Sequence, residues 1–328
     1  KEGLWLAGES VMEQLTAETT LAPQLAARAA EPAHSLVPFL DNSVVAAETG
    51  PGRLDVIFPV LHGPMGEDGT VQGLLELANL PYVGCGVTGS AVAMDKAIAK
   101  DIFKANGLPI VAHQTVLRKI WRQDPDGVLA RLEAGLEYPM FTKPANMGSS
   151  VGIHKTRNQA ELRAGLTDAA RYDRKLIVEQ GIEAREIEVS VLGNDDPIAS
   201  TPGEIIPSRE FYSYAAKYID DASRLIIPAP LTPAQTKAAQ RIAVQAFKVL
   251  DGAGLARVDF LLDKATGRLY LNEVNTMPGF TAISMYPKLW AASGISYPEL
   301  IDRLIELALE RHADKQQTTS FFDVSEAE

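Results

Sequence analysis

Cysteine is nearly absent: Cys85 is alone in 328 residues. It has no partner for an internal disulfide, and one thiol suits a reducing compartment. Long apolar runs are missing too, so no stretch reads as a membrane span. Positive charge is in short supply. Lys and Arg total 31 against 42 Asp and Glu, a net charge of −11, which argues against a nucleic-acid partner. A nucleotide site is not excluded, because a few lysines reverse the field locally. A soluble cytoplasmic protein with neither membrane nor nucleic-acid partner is therefore expected. No internal repeat is present, and no G-x-x-x-x-G-K-[ST] phosphate loop. Gly84-Cys-Gly86-Val-Thr-Gly89 has the glycine spacing of a dinucleotide fingerprint. It follows only a short strand, Leu80 to Val83, and no acidic residue ends a second strand at the required distance, so it reads as a connecting loop.

What is present suits two or three globular domains: 46% hydrophobic and 22% charged residues. Lys1 to Met12 is strand-like, and a polar, Ala-rich region runs on to Gly52. Leu54 to Leu61 reads as a buried strand with a ligand-facing loop, His62 to Gly69, at its carboxyl end. Asp68 is the expected N-cap of a helix over Thr70 to Asn79. His62 and Glu67 suit either a polar turn or a site. A helix over Met94 to Ala105 ends at Gly107. A strand at Gln114 to Leu117, a helix at Pro125 to Glu137 and a strand at Tyr138 to Lys143 follow. Gly148-Ser149-Ser150-Val151-Gly152 then leads into a strand over Val151 to Lys155. That loop fits an ordinary hairpin turn or, with Lys143 upstream, a phosphate-covering loop built on backbone N–H groups. Lys175 to Glu179 is a buried strand, Gln180-Gly181-Ile182 a hinge, and Glu186 to Val191 an alternating strand. Thr232-Pro233 opens a helix with Ile242, Ala246, Phe247 and Leu250 on one face, stopped by Gly252. A last amphipathic helix spans Tyr297 to His312, with Leu300, Ile301, Leu304 and Leu307 inward, and Gln316 to Glu328 is expected to fray.

The most informative stretch is Arg257 to Ser284. It reads as two strands joined by Lys264-Ala265-Thr266-Gly267, Gly supplying a cheap positive φ. Alternation puts Arg257, Asp259 and Leu261 on one face of the first strand, and Leu269, Leu271, Glu273 and Asn275 on one face of the second. With Asp259 opposite Glu273 and Arg257 opposite Asn275, two carboxylates sit roughly 5 Å apart. They resist ionising together without a cation. Mg²⁺ takes one or two carboxylates together with substrate phosphates. A solvated charged hairpin is the bland reading. Interleaved Val258, Phe260, Leu262 and Val274, with Pro278-Gly279 following, favour a metal site.

Arg257-Val-Asp259 and Asn272-Glu273-Val-Asn275-Thr276-Met-Pro278-Gly279 together resemble the metal and substrate segment of the D-alanine–D-alanine ligases, in the ATP-grasp superfamily. The resemblance extends, in family order, through His62-Gly63-Pro64-Met65-Gly66-Glu67-Asp68-Gly69, Met94-Asp95-Lys96, Lys143 to Gly152, Glu179-Gln180-Gly181 and Phe211 to Tyr218.

The resemblance implies a mixed α/β and α+β fold: a Rossmann-like N-terminal domain (1–93), truncated relative to the family, then a two-domain ATP-grasp unit (94–181 and 182–316) and a tail (317–328). It implies ligation of two D-alanines through an acyl phosphate, for peptidoglycan. ATP would be a substrate and two Mg²⁺ (or Mn²⁺) ions cofactors held by Asp259, Glu273 and Asn275. Lys96, Lys143, Ser150, Glu179, Gln180, Ile182, Glu186 and Lys217 would bind ATP. Arg257 and the Gly279 N–H would stabilise the oxyanion, and Ser149 and Tyr218 would line the first D-alanine site. His62, Ser284 and Met285 would bind substrate. A homodimer is expected. A D-alanine–D-lactate ligase and a non-catalytic ATP-binding protein are the alternatives. The family's opening strand and Glu-bearing loop have no match before Lys1-Glu2-Gly3-Leu4-Trp5. About one further βαβ unit is therefore expected upstream, with weak ligation without it unless another acid such as Glu67 substitutes.

Overall fold

The computed structural model describes residues 54–148, 151–206, 224–281 and 283–318. Most of the expected N-terminal domain lies outside them, as do Ser149, Ser150, the Phe211 to Tyr218 stretch and the tail beyond residue 318.

Leu54 to Leu61 is not the buried strand expected. Ile57 makes one parallel bridge to Tyr82, its N–H bonding Pro81 O and its carbonyl accepting from Val83 N–H, both at 2.9 Å. Pro59 has no N–H to continue a ladder. Val60 and Leu61 are 52% and 45% exposed, and the Leu61 N–H turns to Met277 Sδ at 3.0 Å. Helix α1 follows at Thr70–Leu77. Its N-cap is Gly69, at φ 90°, not Asp68. Asp68 still works from one residue earlier, its carboxylate accepting from the N–H groups of Thr70 (3.0 Å) and Met65 (2.8 Å).

Two helices replace the single one expected near Met94: α2 (Val87–Met94) and α3 (Lys96–Ala105). Asp95 between them is extended and caps α3, accepting from the N–H groups of Ala97 and Ile98. Short polar side chains compete for backbone donors in this way and favour caps over helix interiors. Gly107, at φ 70°, ends α3 as expected.

The first sheet then forms from β1 (His113–Leu117), β2 (Met140–Pro144), β3 (His154–Thr156) and β4 (Lys175–Gln180). It is antiparallel, in the order β1-β4-β2-β3. Between these strands lie α4 (Arg118–Gln123), α5 (Pro125–Gly135) and α6 (Gln159–Tyr172). Strand β3 starts later than the expected Val151 because Gly152, at φ 69°, breaks the extended chain. Leu129, Leu132, Leu162 and Leu166 of α5 and α6 pack on Met140, Leu176 and Val178 in a closed core.

The larger sheet holds β5 (Ala184–Gly193), β6 (Ile198–Ala199), β7 (Gly203–Ile206), β8 (Arg224–Ile226), β9 (Gly254–Asp263) and β10 (Leu269–Asn275). Its order is β10-β9-β5-β7-β8, with β6 paired to β5. Helix α7 (Pro233–Val249) covers one face, opened by a capping box between Thr232 and Gln235. Its Ala239, Ala243 and Ala246 allow close approach, while Ile242 and Phe247 fill the space against Ile187, Val189, Val258 and Phe260. Ala99 and Phe103 of α3 enter the same core. Each fully buried large side chain contributes about 1.5–3 kcal/mol. On the opposite side, α8 (Met285–Ala292) and α9 (Tyr297–Lys315) bury Tyr286, Trp290, Leu300 and Leu304 against Leu192 and Leu255. Leu307 sits at the edge of that contact and Ala308 within it, whereas Ile301, expected inward, is only half-buried. Among the described residues no helix is long and apolar enough to cross a membrane.

The glycines of Gly84 to Gly89 are packing positions. A Cβ on Gly89 would lie 2.5 Å from Asp251 O and 3.1 Å from Leu250 O, both backbone atoms. Gly89→Ala is therefore expected to lower stability by about 1–3 kcal/mol by forcing α2 off the end of α7. Urea unfolding measures this; an unchanged midpoint would show that the contact yields freely.

Candidate active site

The hairpin places its charges by register. Glu273 pairs with Asp259 and Asn275 with Arg257, as alternation predicts. One feature was not predictable from alternation: the register shifts between Leu271 and Glu273, leaving Asn272 as an extra residue. This bulge lets Leu269 and Leu271 enter the core while Glu273 and Asn275 stay on the other face with Arg257 and Asp259. The expected common face for all four β10 residues is corrected accordingly. On the far side of β9, β5 sets Glu188 opposite Asp259. Glu188, Asp259 and Glu273 thus form a row across three strands.

Such a row needs cations. Arg257 donates from Nε and Nη2 to the two oxygens of Asp259, both at 2.8 Å, and its Nε lies 3.1 Å from Glu188. Burial works against the guanidinium charge, but Asp259 and Glu188 outweigh it and hold the Arg257 pKa well above the ordinary value. Asn275 Nδ2 donates to Asp259 at 2.9 Å. Glu273 lies 3.4 Å from the Lys96 ammonium, which also donates to Met147 O at 2.9 Å.

The first sheet supplies the opposite wall. Lys143 on β2 and Glu179 on β4 are in ion-pair contact at 2.5 Å, and Lys100 of α3 meets the other oxygen of Glu179 at 3.0 Å. Burial would raise the Glu179 pKa, yet these two lysines drive it well below the carboxylate range. Lys143 is held above its ordinary value despite burial, by Glu179 first and then Glu273. For Lys100 burial prevails and the pKa is lowered. Asp95 ties the walls together: it caps α3 and pairs with Lys175 of β4.

The 62–69 loop closes one end. His62 Nδ1 lies 3.0 Å from Met277 O, and Glu67 accepts from Gly63 N–H. Burial raises the Glu67 carboxyl pKa, although His62 and Lys96 oppose it. A Cβ on Gly148 would come within 4.0 Å of Glu67 Oε2, so the glycine-bearing segment starts beside this loop. At the other end, Gly279 closely approaches Ser284, whose Oγ accepts from Thr281 N–H at 3.0 Å. The Met285 side chain is buried with Ile205 and Leu289, so it packs in the core. At the hinge, Gln180 uses its side-chain amide on Glu137, accepting from its N–H and donating to its carbonyl, each at 2.8 Å. Ile182 and Glu186 are half-buried, and Glu186 is near enough to act on the Lys143 charge.

The structure thus groups Lys96, Lys143, Glu179, Glu186, Arg257, Asp259, Glu273 and Asn275, with His62 and Glu67 at the rim. Ser149, Ser150, Lys217 and Tyr218 lie outside the described residues. Sequence reasoning gave no role to Lys100 or Glu188. Their only signals were the one-turn spacing of Lys96 and Lys100 and the two-residue spacing of Glu186 and Glu188.

Asp259, Glu273 and the amide oxygen of Asn275 are hard oxygen donors on one face, which fits Mg²⁺ or Mn²⁺. Among the described residues no three His, Cys, Asp or Glu side chains converge as a closed metal cage.

Removing Glu179 leaves two ammonium groups buried against each other. Glu179→Gln is expected to cost about 3–5 kcal/mol of stability, read by chemical denaturation. A loss below about 1 kcal/mol would mean that water already screens the pair.

Two family models match. "D-ala D-ala ligase C-terminus" covers residues 102–306 and "D-ala D-ala ligase N-terminus" residues 1–85. A D-alanine–D-alanine ligase of Heliobacterium modesticaldum is 59% identical over 270 residues, 82% of this chain and 74% of the relative. One from Geobacillus kaustophilus is 51% identical over 325 residues, 98% of this chain and 87% of the relative. Among solved structures, the D-alanine-D-alanine ligase from Coxiella burnetii superposes with a TM-score of 0.72 at 43% identity, covering 81% of this chain and 70% of that one. The VanG D-Ala:D-Ser ligase from Enterococcus faecalis gives 0.71 at 38% identity, covering 78% and 73%.

Proposed function

The chain belongs to the D-alanine–D-alanine ligase family, and from that premise we propose that the face between its two sheets is where ATP is spent to join two D-alanines. The fold is ATP-grasp, and the enzyme is an ATP-dependent D-alanine–D-alanine ligase serving peptidoglycan synthesis. In the reaction a D-alanine carboxylate attacks the γ-phosphorus of ATP and ADP leaves. The amine of a second D-alanine then attacks the acyl carbon, and phosphate departs as the peptide bond forms.

The observation that carries the site assignment is the in-register pair Asp259 and Glu273, with Arg257 and Asn275 the next pair on the same face, facing Lys96 and Lys143. In this reading residues 94–181 and 182–316 are the two halves that grasp the nucleotide. Lys96 and Lys143 neutralise phosphate oxygens, while Glu179, Gln180, Ile182 and Glu186 form the nucleoside end, Gln180 and Ile182 through their backbone. Asp259, Glu273 and Asn275 hold two Mg²⁺ or Mn²⁺ ions, which when bound offset the charge on the phosphates. Arg257, already fixed by two carboxylates, and the Gly279 N–H meet the developing oxyanion. Ser284 and the Met285 backbone take the carboxylate of the second D-alanine, and His62 lies at the substrate rim. Ser149 and Tyr218 are assigned to the first D-alanine, and Ser150 and Lys217 to ATP, by the motifs that carry them.

Phosphate release from ATP should depend on D-alanine and match D-alanyl-D-alanine formation one for one. ATP turnover indifferent to D-alanine would contradict the assignment. Chromatography with D-serine or D-lactate also present tests the choice of second substrate; D-alanyl-D-alanine is expected to dominate.

Glu273→Gln keeps the shape of the site and removes one negative ligand. Turnover at saturating Mg²⁺ is expected to fall about 100-fold or more, with the unfolding midpoint little changed. Near-normal turnover would reduce the pair to a charged surface. Lys143→Ala is expected to weaken ATP binding in calorimetry and to spare D-alanine.

A further inference from the structure

Lys100 is a buried charge to which the reaction gives no role. Its side chain is 1% exposed, and its ammonium lies 3.0 Å from a carboxylate that already has a partner, since Lys143 meets the other oxygen of Glu179 at 2.5 Å. One carboxylate balances one ammonium. A Lys143–Glu179 pair alone would be neutral, and Lys100 adds a second buried ammonium to it. Burying an extra ammonium is costly, and its presence calls for a reason.

The surroundings of Lys143 provide one. Besides Glu179, Glu273 and Glu186 act on its charge, so three carboxylates surround the lysine that should meet a polyphosphate. Lys96 is engaged with Glu273. Without Lys100, Glu179 would set its whole charge against Lys143, and the wall would lose its positive margin towards an anion. The exposure gradient has the matching direction: Lys100 is sealed at 1%, Glu179 at 4%, and Lys143 is 12% exposed towards the other sheet. Helix α3 makes the arrangement rigid. Lys96 and Lys100 are one turn apart on one stripe, while Ala99 and Phe103 anchor the helix in the core of the larger sheet.

We propose that Lys100 is a positioning residue for nucleotide binding: it neutralises Glu179 from behind, leaving the Lys143 ammonium free to meet the phosphates of ATP. This rests on the reading of Lys143 as a phosphate ligand, and the test separates the two.

The experiment measures the KM for ATP, the KM for D-alanine and kcat in Lys100→Met and Lys100→Gln, each alone and combined with Lys143→Ala. Lys100→Gln removes the charge but keeps a polar side chain beside Glu179, so it remains informative if the Met variant does not fold. Either variant is expected to raise the KM for ATP about tenfold, equivalent to about 1.4 kcal/mol, with the KM for D-alanine and kcat little changed. In the Lys143→Ala background the same substitutions should add almost nothing, because the group they act through is gone. An ATP KM equal to the parent's in folded Lys100→Gln overturns the proposal. So does an equal rise with and without Lys143, the mark of a merely structural role. If Lys143→Ala itself leaves ATP binding unchanged, the phosphate assignment of Lys143 fails instead, and with it the premise.

Discussion

Charges of both signs are packed, largely buried, between two sheets, and each is tolerable because an opposite charge is held at contact distance. Glu188, Asp259 and Glu273 form a row fixed by strand pairing. Arg257 answers the first two, Lys96 the third, and Lys100 with Lys143 answers Glu179 on the facing sheet. Much of the architecture around them serves this alignment. Helix α7 fixes the larger sheet from behind, α5 and α6 fix the smaller, and α3 is rooted in one core while its lysines reach carboxylates on both sheets.

The same balance bears on the ATP and divalent-ion site proposed for this face. Asp259 and Glu273 each have a protein cation as counter-ion in the structure described. A divalent ion held by Asp259 and Glu273 would offset their charge in place of Arg257 and Lys96, and phosphate oxygens would give those two cations new partners. In this account metal and nucleotide assist each other's binding, because each removes the charge imbalance that the other creates.

How much of this was legible in the sequence follows from the range of the interactions. Strand alternation and a glycine turn fixed the pairing of Asp259 with Glu273 and of Arg257 with Asn275, because both are local. The bulge at Asn272 was not legible, since alternation assumes that no residue is extra. Asp95 looked like part of a helix because it lies between helical runs, yet its carboxylate caps the second of them. Leu54 to Leu61 has a strand's composition, but pairing partners determine strands, and Pro59 stops the one ladder seen here. Lys100 and Glu188 carry no local signal of function: one becomes significant only when β4 arrives beside α3, the other when β5 pairs with β9. The family resemblance supplied roles for individual residues that no pattern within the chain could supply.

The central claim is that ATP and its metal ion sit on the Asp259 and Glu273 face with Lys143 on the phosphates. A crystal structure of the protein with ADP and Mn²⁺, the manganese located by anomalous scattering, tests it most directly. The account predicts manganese density in contact with Asp259 and Glu273, and the Lys143 ammonium within hydrogen-bonding distance of a phosphate oxygen. Ordered ADP on another face, or manganese bound away from both carboxylates while nucleotide occupies the cleft, would contradict it.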